Sequence, residues 1–403
     1  MTVQPNTINT NNINTTGSGT RTGSVLLASL LLPGLASLSA LVAPPASAES
    51  TPDKTTVSLN VAAYNDGQPG WDRVTVLSPG VYVQAPIAAD WAVEGSLLSD
   101  TISGATPRMH TERSGASRMH EERVAGDVKL TRYYARAAYS VSTTFSDEHD
   151  YRSIGVGADA RWSSADNNAT WSVGVSTTSD RIDNTENHVN TAINQHKHTH
   201  ELALGLTQTL SAADIVQLNL TRSVGNGYFN DPYKLFDVRP DLRDAWIGMG
   251  RWNHYIAAFD ASLRTSYRDY TDTFGVRSHT LGVDWVQPIG QWTVTPGTRY
   301  YTQSAARFYL DPVLNSQGLY DTGATIASAL AVKGYTSFDQ RLSAFGGVSL
   351  SMKLSYPVAP ETVFDIKVDT YRQSASLRVG GAGSPNLATF HANFLQLGLT
   401  HRF

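Results

Sequence analysis

The 403-residue chain has no cysteine. That excludes a disulfide framework, a thiolate metal site and a lipid-modified cysteine. Charge is scarce as well: Asp, Glu, Lys and Arg make up 16% of the residues, and the formal net charge is −4. A balance so near neutral provides no bulk attraction for nucleic acid. Long apolar runs are also missing from the body of the chain. After residue 48 no stretch approaches the ~18 consecutive apolar residues that a spanning helix needs. Aromatics are plentiful, with 8 Trp, 18 Tyr and 12 Phe, so the chain has ample material for burial and is not disordered. Its 32 glycines, with many Ser and Thr, favour an all-β chain.

The first segment reads as an address. A polar, Asn/Thr-rich stretch with Arg21 precedes the apolar run Val25 to Ala43, which Pro33-Gly34 interrupts. Ala46-Ser47-Ala48 then supplies a small-residue cleavage site. This predicts a secretory signal peptide over 1–48, cleaved near Ala48.

From residue 49 onward the chain alternates with period 2. Ile154, Val156, Ala158, Ala160 and Trp162 alternate with Gly155, Gly157, Asp159 and Arg161. Leu202, Leu204 and Leu206 oppose Glu201, Ala203, Gly205 and Thr207. Phe364, Ile366 and Val368 oppose Asp365, Lys367 and Asp369. One face is oily and the other carries full charges. About sixteen such segments run from 55–64 to 389–403, many longer than the ~6 residues usual in soluble sheets. Their connections sort by parity. Short ones such as Ser163–Asn168 and Tyr356–Glu361 take turns with long ones such as Ile102–Glu122, Arg181–His196, Gly225–Asp241 and Ala305–Ser337. This pattern predicts a single antiparallel transmembrane β-barrel over 49–403, of about sixteen strands, in a Gram-negative outer membrane. It would have short periplasmic turns and long extracellular loops. Ser78-Pro79-Gly80, where apolar parity switches from Val74 and Val76 to Val81 and Val83, and Pro296 are expected at bulges or rims. Trp71, Trp91, Trp162, Trp171, Trp252, Trp285 and Trp292, with Tyr133, Tyr134, Tyr300 and Tyr301, are expected to form interfacial girdles.

The chain ends FLQLGLTHRF, with Leu395, Leu397, Leu399 and Phe403 at alternate positions, except for His401. This is similar to the terminal signal that the barrel-insertion machinery reads by strand addition. Three further segments are SDEHDYRS (Ser146–Ser153), GYFNDPYKLFDVRP (Gly227–Pro240) and RYYTQSAARFY (Arg299–Tyr309). They resemble the bacterial domain-of-unknown-function family thirty-five seventy. The resemblance implies an outer-membrane barrel and transfers no catalytic residue.

Several groups can carry chemistry. His196, His198 and His200 lie at period 2, so one strand face would present them at spacings of ~7 Å, suited to a divalent metal, although the same parity continues as lipid-facing leucines. The repeat RMHTER/RMHEER offers Met109, His110, Met119 and His120 as a second Met/His set, or a duplicated surface turn. Asp147, His149 and Asp150 would serve a surface hydrolase as general bases, but hydrated turns favour Asp anyway. Asp180, Asp183, Asp231, Asp237, Asp269 and Asp272 are expected in other hydrated outer turns. The inward parity nominates Asp159, Arg161, Glu201, Asp260, Arg264, Arg268, Asp284, Asp365, Lys367, Asp369 and Arg402 as lumen-facing, and their mixed signs imply water or an ion network with weak ion preference. The segment Ala305–Ser337 is expected to fold inward and narrow the lumen. The partners expected are outer-membrane lipid, lipopolysaccharide and the insertion machinery. The function expected is a porin-like channel or transport barrel for small polar solutes or metal species. A plugged structural barrel with partner-binding loops is the alternative, and a surface hydrolase the third reading.

Overall fold

The computed structural model describes residues 50–69, 71–107, 116–184, 192–234, 236–311 and 334–403. The expected signal segment lies outside the described residues. Sixteen strands follow one another. The first eight are β1 (Thr56–Gln68), β2 (Trp71–Ala88), β3 (Trp91–Pro107), β4 (Ala116–Tyr134), β5 (Ala137–Asp147), β6 (Tyr151–Ser163), β7 (Ala169–Asn184) and β8 (Ala192–Thr209). The second eight are β9 (Asp214–Gly227), β10 (Leu242–Ile256), β11 (Ala261–Asp272), β12 (Arg277–Ile289), β13 (Trp292–Gln303), β14 (Phe345–Ala359), β15 (Thr362–Ser374) and β16 (Phe390–Arg402). Each pairs antiparallel with its sequence neighbours, and β16 returns to β1 with Leu399 opposite Leu59, so the sheet is a closed barrel. Closure leaves no unpaired strand edge, the condition a sheet must meet in lipid. Among the described residues no helix is long and apolar enough to cross a membrane.

Alternation decides which way each side chain points. Leu59, Val61, Leu97, Val141, Val156, Val175, Leu204, Leu218, Leu350 and Val368 are exposed on the outer wall. Leu395, Leu397 and Leu399 of the last strand join them, and Phe403 is exposed just past its end. Polar partners of opposite parity, such as Ser58, Asn60, Glu94, Ser140 and Gln217, are buried inside.

The two rims differ, and we call them lower and upper. Lower connections are short: 89–90, 135–136, 164–168, 210–213, 257–260, 290–291 and 360–361. Aromatics cluster on this rim. Trp162 stacks on Trp171 with centroids 6.4 Å apart, Trp292 lies 4.6 Å from Tyr356, and Tyr134 meets Tyr139 edge-on at 5.6 Å. Such a band suits the boundary between hydrocarbon and water. Tyr133 and Tyr301 are exceptions to the expected girdle, being buried on the inward face.

The upper rim carries 228–241, 304–344 and 375–389, but also the short connections 69–70, 148–150 and 273–276. Two expected long loops are largely strand. β3 and β4 pair up to Pro107 and Ala116, and β7 and β8 up to Asn184 and Ala192. Strands of 16 to 19 residues exceed what a bilayer crossing requires, so these hairpins stand above the apolar band. β11 begins at Ala261, β12 at Arg277 and β14 at Phe345.

Both prolines stay in register without a bulge. Val61 faces Pro79 in a stretch of the β1–β2 ladder that keeps one register from Thr56 to Asp66, and Leu77↔Thr101 and Gly80↔Leu98 keep one register on the other side. Pro296 faces Met352, and the β12–β13 ladder resumes at Gln287↔Val294 with its register intact. The apolar parity switch in β2 is therefore not a backbone irregularity. Val74 and Val76 point inward into an apolar cluster with Tyr64, Ile102, Tyr371, Phe390 and Ala392. The upper lumen is oily there, and below it Val83 faces out. The register shift that does occur in β2 leaves Arg73 as the extra residue, between Val74 opposite Asp66 and Asp72 opposite Gly67.

Candidate functional site

The lumen divides by height. Its upper part is filled by two connections that fold inward. Phe229, after β9, packs edge-on against Phe274 at 5.7 Å, and Phe274 meets Phe308 at 5.1 Å. Val276, Ala306, Tyr309 and Leu342 complete this buried cluster. The described part of Ala305–Ser337 thus packs inward as expected, and 338–344 goes with it. Val238 pairs with Thr336, stitching the two connections together, and Tyr309 pairs with Ser337 within the second.

Ions hold the stitch. Arg341 donates to both Asp339 and Asp231, and Arg239 donates to Asp339 at 2.8 Å and pairs with Asp237 at 2.7 Å. The Asp231 amide donates to Asp237 at 2.5 Å. Burial would raise the Asp339 carboxyl, but Arg341, Arg239 and Lys234 beside it hold it well below the usual carboxylate range. Burial pushes Lys234 down to about 8 against the pull of Asp339 and Asp231, and Arg341 and Arg73 add to the lowering. Arg73 belongs to β2, eight strands around the ring from β10, so the segment leaving β9 reaches far across the mouth. Tyr233 also donates to Asp150 at 2.5 Å, tying the same segment to the β5–β6 connection.

Other inward charges near this end are sealed too. Arg123 pairs with Asp100, with side chains 3% and 0% accessible, and Lys197 pairs with Asp180 at 2.9 Å. Sequence reasoning treated Asp150, Asp180, Asp231 and Asp237 as acids of hydrated turns, whereas all four are buried. For Asp150 and Asp231 the donors Tyr233 and Arg341 are brought by the in-folded connections, whereas Asp180 takes its cross-strand neighbour Lys197 and Asp237 takes Arg239 two residues on.

Lower down, the wall from β10 to β15 is different. Lys367 pairs with Asp369 at 3.0 Å yet its side chain is 40% accessible, and Lys353 pairs with Asp365 at 3.1 Å and is 25% accessible. Asp284 is exposed although its parity is inward. These accessible charges inside a closed ring mark a region that admits water. Arg251, Arg264, Arg268 and Arg299 share this wall, and sequence reasoning missed the first and last of them. Asp159, Arg161, Glu201, Arg264, Arg268, Asp284, Asp365, Lys367, Asp369 and Arg402 occupy inward positions by strand parity. Asp260 does not: it caps a lower-rim turn with φ of 48° and accepts from Tyr255 at 2.8 Å.

The expected metal ligands do not converge. His196, His198 and His200 lie on the outward face of β8, above Leu202 and Leu204, while Lys197 between them points in. Met109 and His110 lie outside the described residues. Of Met119 and His120 only the backbone is described, in β4 opposite Gly104 and Ser103. Among the described residues no group of three or more His, Asp or Glu can hold a metal ion. Nor do the acids of the hydrolase reading meet. Asp147 is exposed and bound by Arg152 at 2.6 Å, whereas Asp150 is buried under Tyr233.

Among solved structures the chain is similar to three proteins of Pseudomonas aeruginosa. It shares 8% identity with OccK5 (OpdH), covering 87% of this chain and 98% of that one with a TM-score of 0.44. It shares 9% with OccK2 (OpdF), solved in complex with glucuronate, covering 88% and 100% with a TM-score of 0.44. With the siderophore receptor PirA the identity is 11% and the TM-score 0.41, over 87% of this chain and only 63% of the receptor's length. No curated protein matches in sequence. The family model described as "Protein of unknown function (DUF3570)" matches residues 108–394, well over half of the chain, and the protein belongs to that family.

Proposed function

We propose that the protein is an outer-membrane channel for small polar solutes, narrowed on its upper side by the in-folded connections. A continuous apolar outer wall on a closed sheet supports residence in a bilayer, and the short-turn rim would face the periplasm. The observation that carries the channel reading is the accessibility of inward charges. Lys367 and Lys353 remain 40% and 25% accessible inside the ring, where a packed lumen would have buried them. A barrel of sixteen strands is wide enough for an aqueous path.

The buried Asp231–Arg341–Asp339 cluster favours a second reading, a barrel sealed at its mouth that presents its upper segments to partners. Single-channel recording of the refolded protein in planar bilayers separates the two. Discrete conductance steps are expected, smaller than a fully open barrel of this strand number would give. Membranes that contain folded barrel and stay silent would overturn the channel reading in favour of the sealed one.

A further inference from the structure

Four arginines surround one patch of the lower lumen wall. On β10 to β13 the inward residues Arg251, Ser266, Gly282 and Arg299 stand side by side, because Arg251 pairs with Ser266, Ser266 with Gly282 and Gly282 with Arg299. Arg264 and Arg268 flank Ser266 along β11, one inward step below and one above. By strand geometry the Cα atoms of Arg251 and Arg299 are ~14 Å apart across the strands, and those of Arg264 and Arg268 ~13 Å apart along one. Spacings of this order leave room between the guanidinium arms for a small molecule. Its floor is a serine and a glycine, and the first atom that a Cβ on Gly282 would meet is Ser266 Oγ at 2.7 Å.

The charges are not neutralised in place. The ion pairs on this wall join Arg243 to Asp272, Lys353 to Asp365 and Lys367 to Asp369, and none engages the four arginines. Arg299 Nε is buried without a hydrogen-bond acceptor, and Arg268 repels Arg299. Arg268 instead lies over the Tyr270 ring at 5.3 Å. Asp284, cross-strand from Arg264, lies within electrostatic reach of Arg251 and Arg264, with Lys367 and Asp369 near it as well. Asp369, already paired with Lys367, also reaches Arg299, and Asp269 reaches Arg268, but these acids are fewer than the cations, so the patch keeps an excess of positive charge held on rigid strands inside the ring. Guanidinium forks match carboxylate oxygens in pairs.

We propose that Arg251, Arg264, Arg268 and Arg299 form a binding site for a small di- or tricarboxylate. The site gives the proposed channel an anionic substrate class, and it rests on that reading for solute access from the lumen.

Calorimetric titration of the refolded, detergent-solubilised full chain with citrate at low ionic strength tests the site without requiring conduction. Saturable one-to-one binding is expected, weakened at least tenfold in the double variant R264Q/R299Q and progressively lost as salt is raised. If that variant fails to show the folded barrel's gel mobility, R251Q and the wild-type salt series decide instead. No citrate binding by the folded wild type would overturn the proposal, as would affinity unchanged in the arginine variants. Inorganic phosphate binding as tightly as citrate would overturn the carboxylate assignment. In bilayers citrate should reduce wild-type current and glucose should not. Citrate binding by a barrel that never conducts supports the site and sinks the channel reading alone.

Discussion

Arg341 and Asp231, 110 positions apart in sequence, form an ion pair that ties the two in-folded connections together in the upper lumen. Asp339 shares the same guanidinium, and its own side chain is fully buried. Removing one member of a buried ion cluster leaves its partners charged and unmatched, which costs about 3–5 kcal/mol. Arg341→Gln should therefore release the in-folded connections while the strand ladders persist. The expected outcome is faster proteolysis within 228–241 and larger or more frequent conductance steps, at unchanged barrel mobility on gels. Steps identical to wild type would place the narrowing elsewhere.

The same cluster sets a pH dependence. Burial lowers Lys234 to about 8, whereas an unfolded lysine titrates near ~10.4. Between those values the released segment binds more protons than the packed one. Stability of the packed arrangement thus rises with pH across that window and falls as pH drops through about 8. Hydrogen exchange in 228–241 should slow from pH 8 towards pH 10 once corrected for intrinsic rates. Lys234→Met should abolish that slope. A slope of the opposite sign, or one that survives the substitution, contradicts the assignment.

Neighbouring residues on β6 should respond in opposite ways. Val156 is exposed on the outer wall, and Asp159 faces the lumen. An arginine on the lipid face costs about 2–4 kcal/mol near the bilayer midplane. Val156→Arg should lower the urea midpoint of unfolding in liposomes, while Asp159→Ser should leave it nearly unchanged. Equal losses at both positions would mean that lipid does not contact the outer wall.

A backbone constraint at the top of β9 offers a further check. Gly227 has φ of +124°, and a Cβ there would press on the His196 carbonyl. Gly227→Ala should cost about 1–3 kcal/mol in strain and displace the start of the in-folded connection. The expected signature is increased proteolysis at 228–241 with the barrel otherwise intact. An alanine variant as protease-resistant as wild type would show that the backbone relaxes there.

Sequence legibility followed the solvent. Where lipid meets one face and water the other, as along Ile154 to Trp162, period 2 marks the strand and its orientation without further information. Above the lipid the rule fails, since a strand such as Ala116–Tyr134 has no oily face at its upper end and reads as loop. It fails again where the lumen is apolar, and Val74 and Val76 then imitate a change of parity. Arg251 and Arg299 carry no local signal of a shared site. Only pairing through Ser266 and Gly282 brings them to one level, and register is not written in either strand alone. The faint clue was their inward parity beside outward Trp252 and Tyr300. Asp231 was illegible for a similar reason: its partner Arg341 stands 110 positions away, and the nearness of Asp339 to that arginine does not announce a third, distant member.

The absence of cysteine makes the central claim directly measurable. Single cysteines at Lys367 and Val368, adjacent on β15 and facing opposite ways, can be challenged in liposomes with a charged, membrane-impermeant thiol reagent present on both sides. Lys367→Cys should be modified quickly and Val368→Cys hardly at all, with Lys197→Cys protected under the in-folded connections. Modification of Val368→Cys as fast as Lys367→Cys would contradict a ring with oil outside and water within.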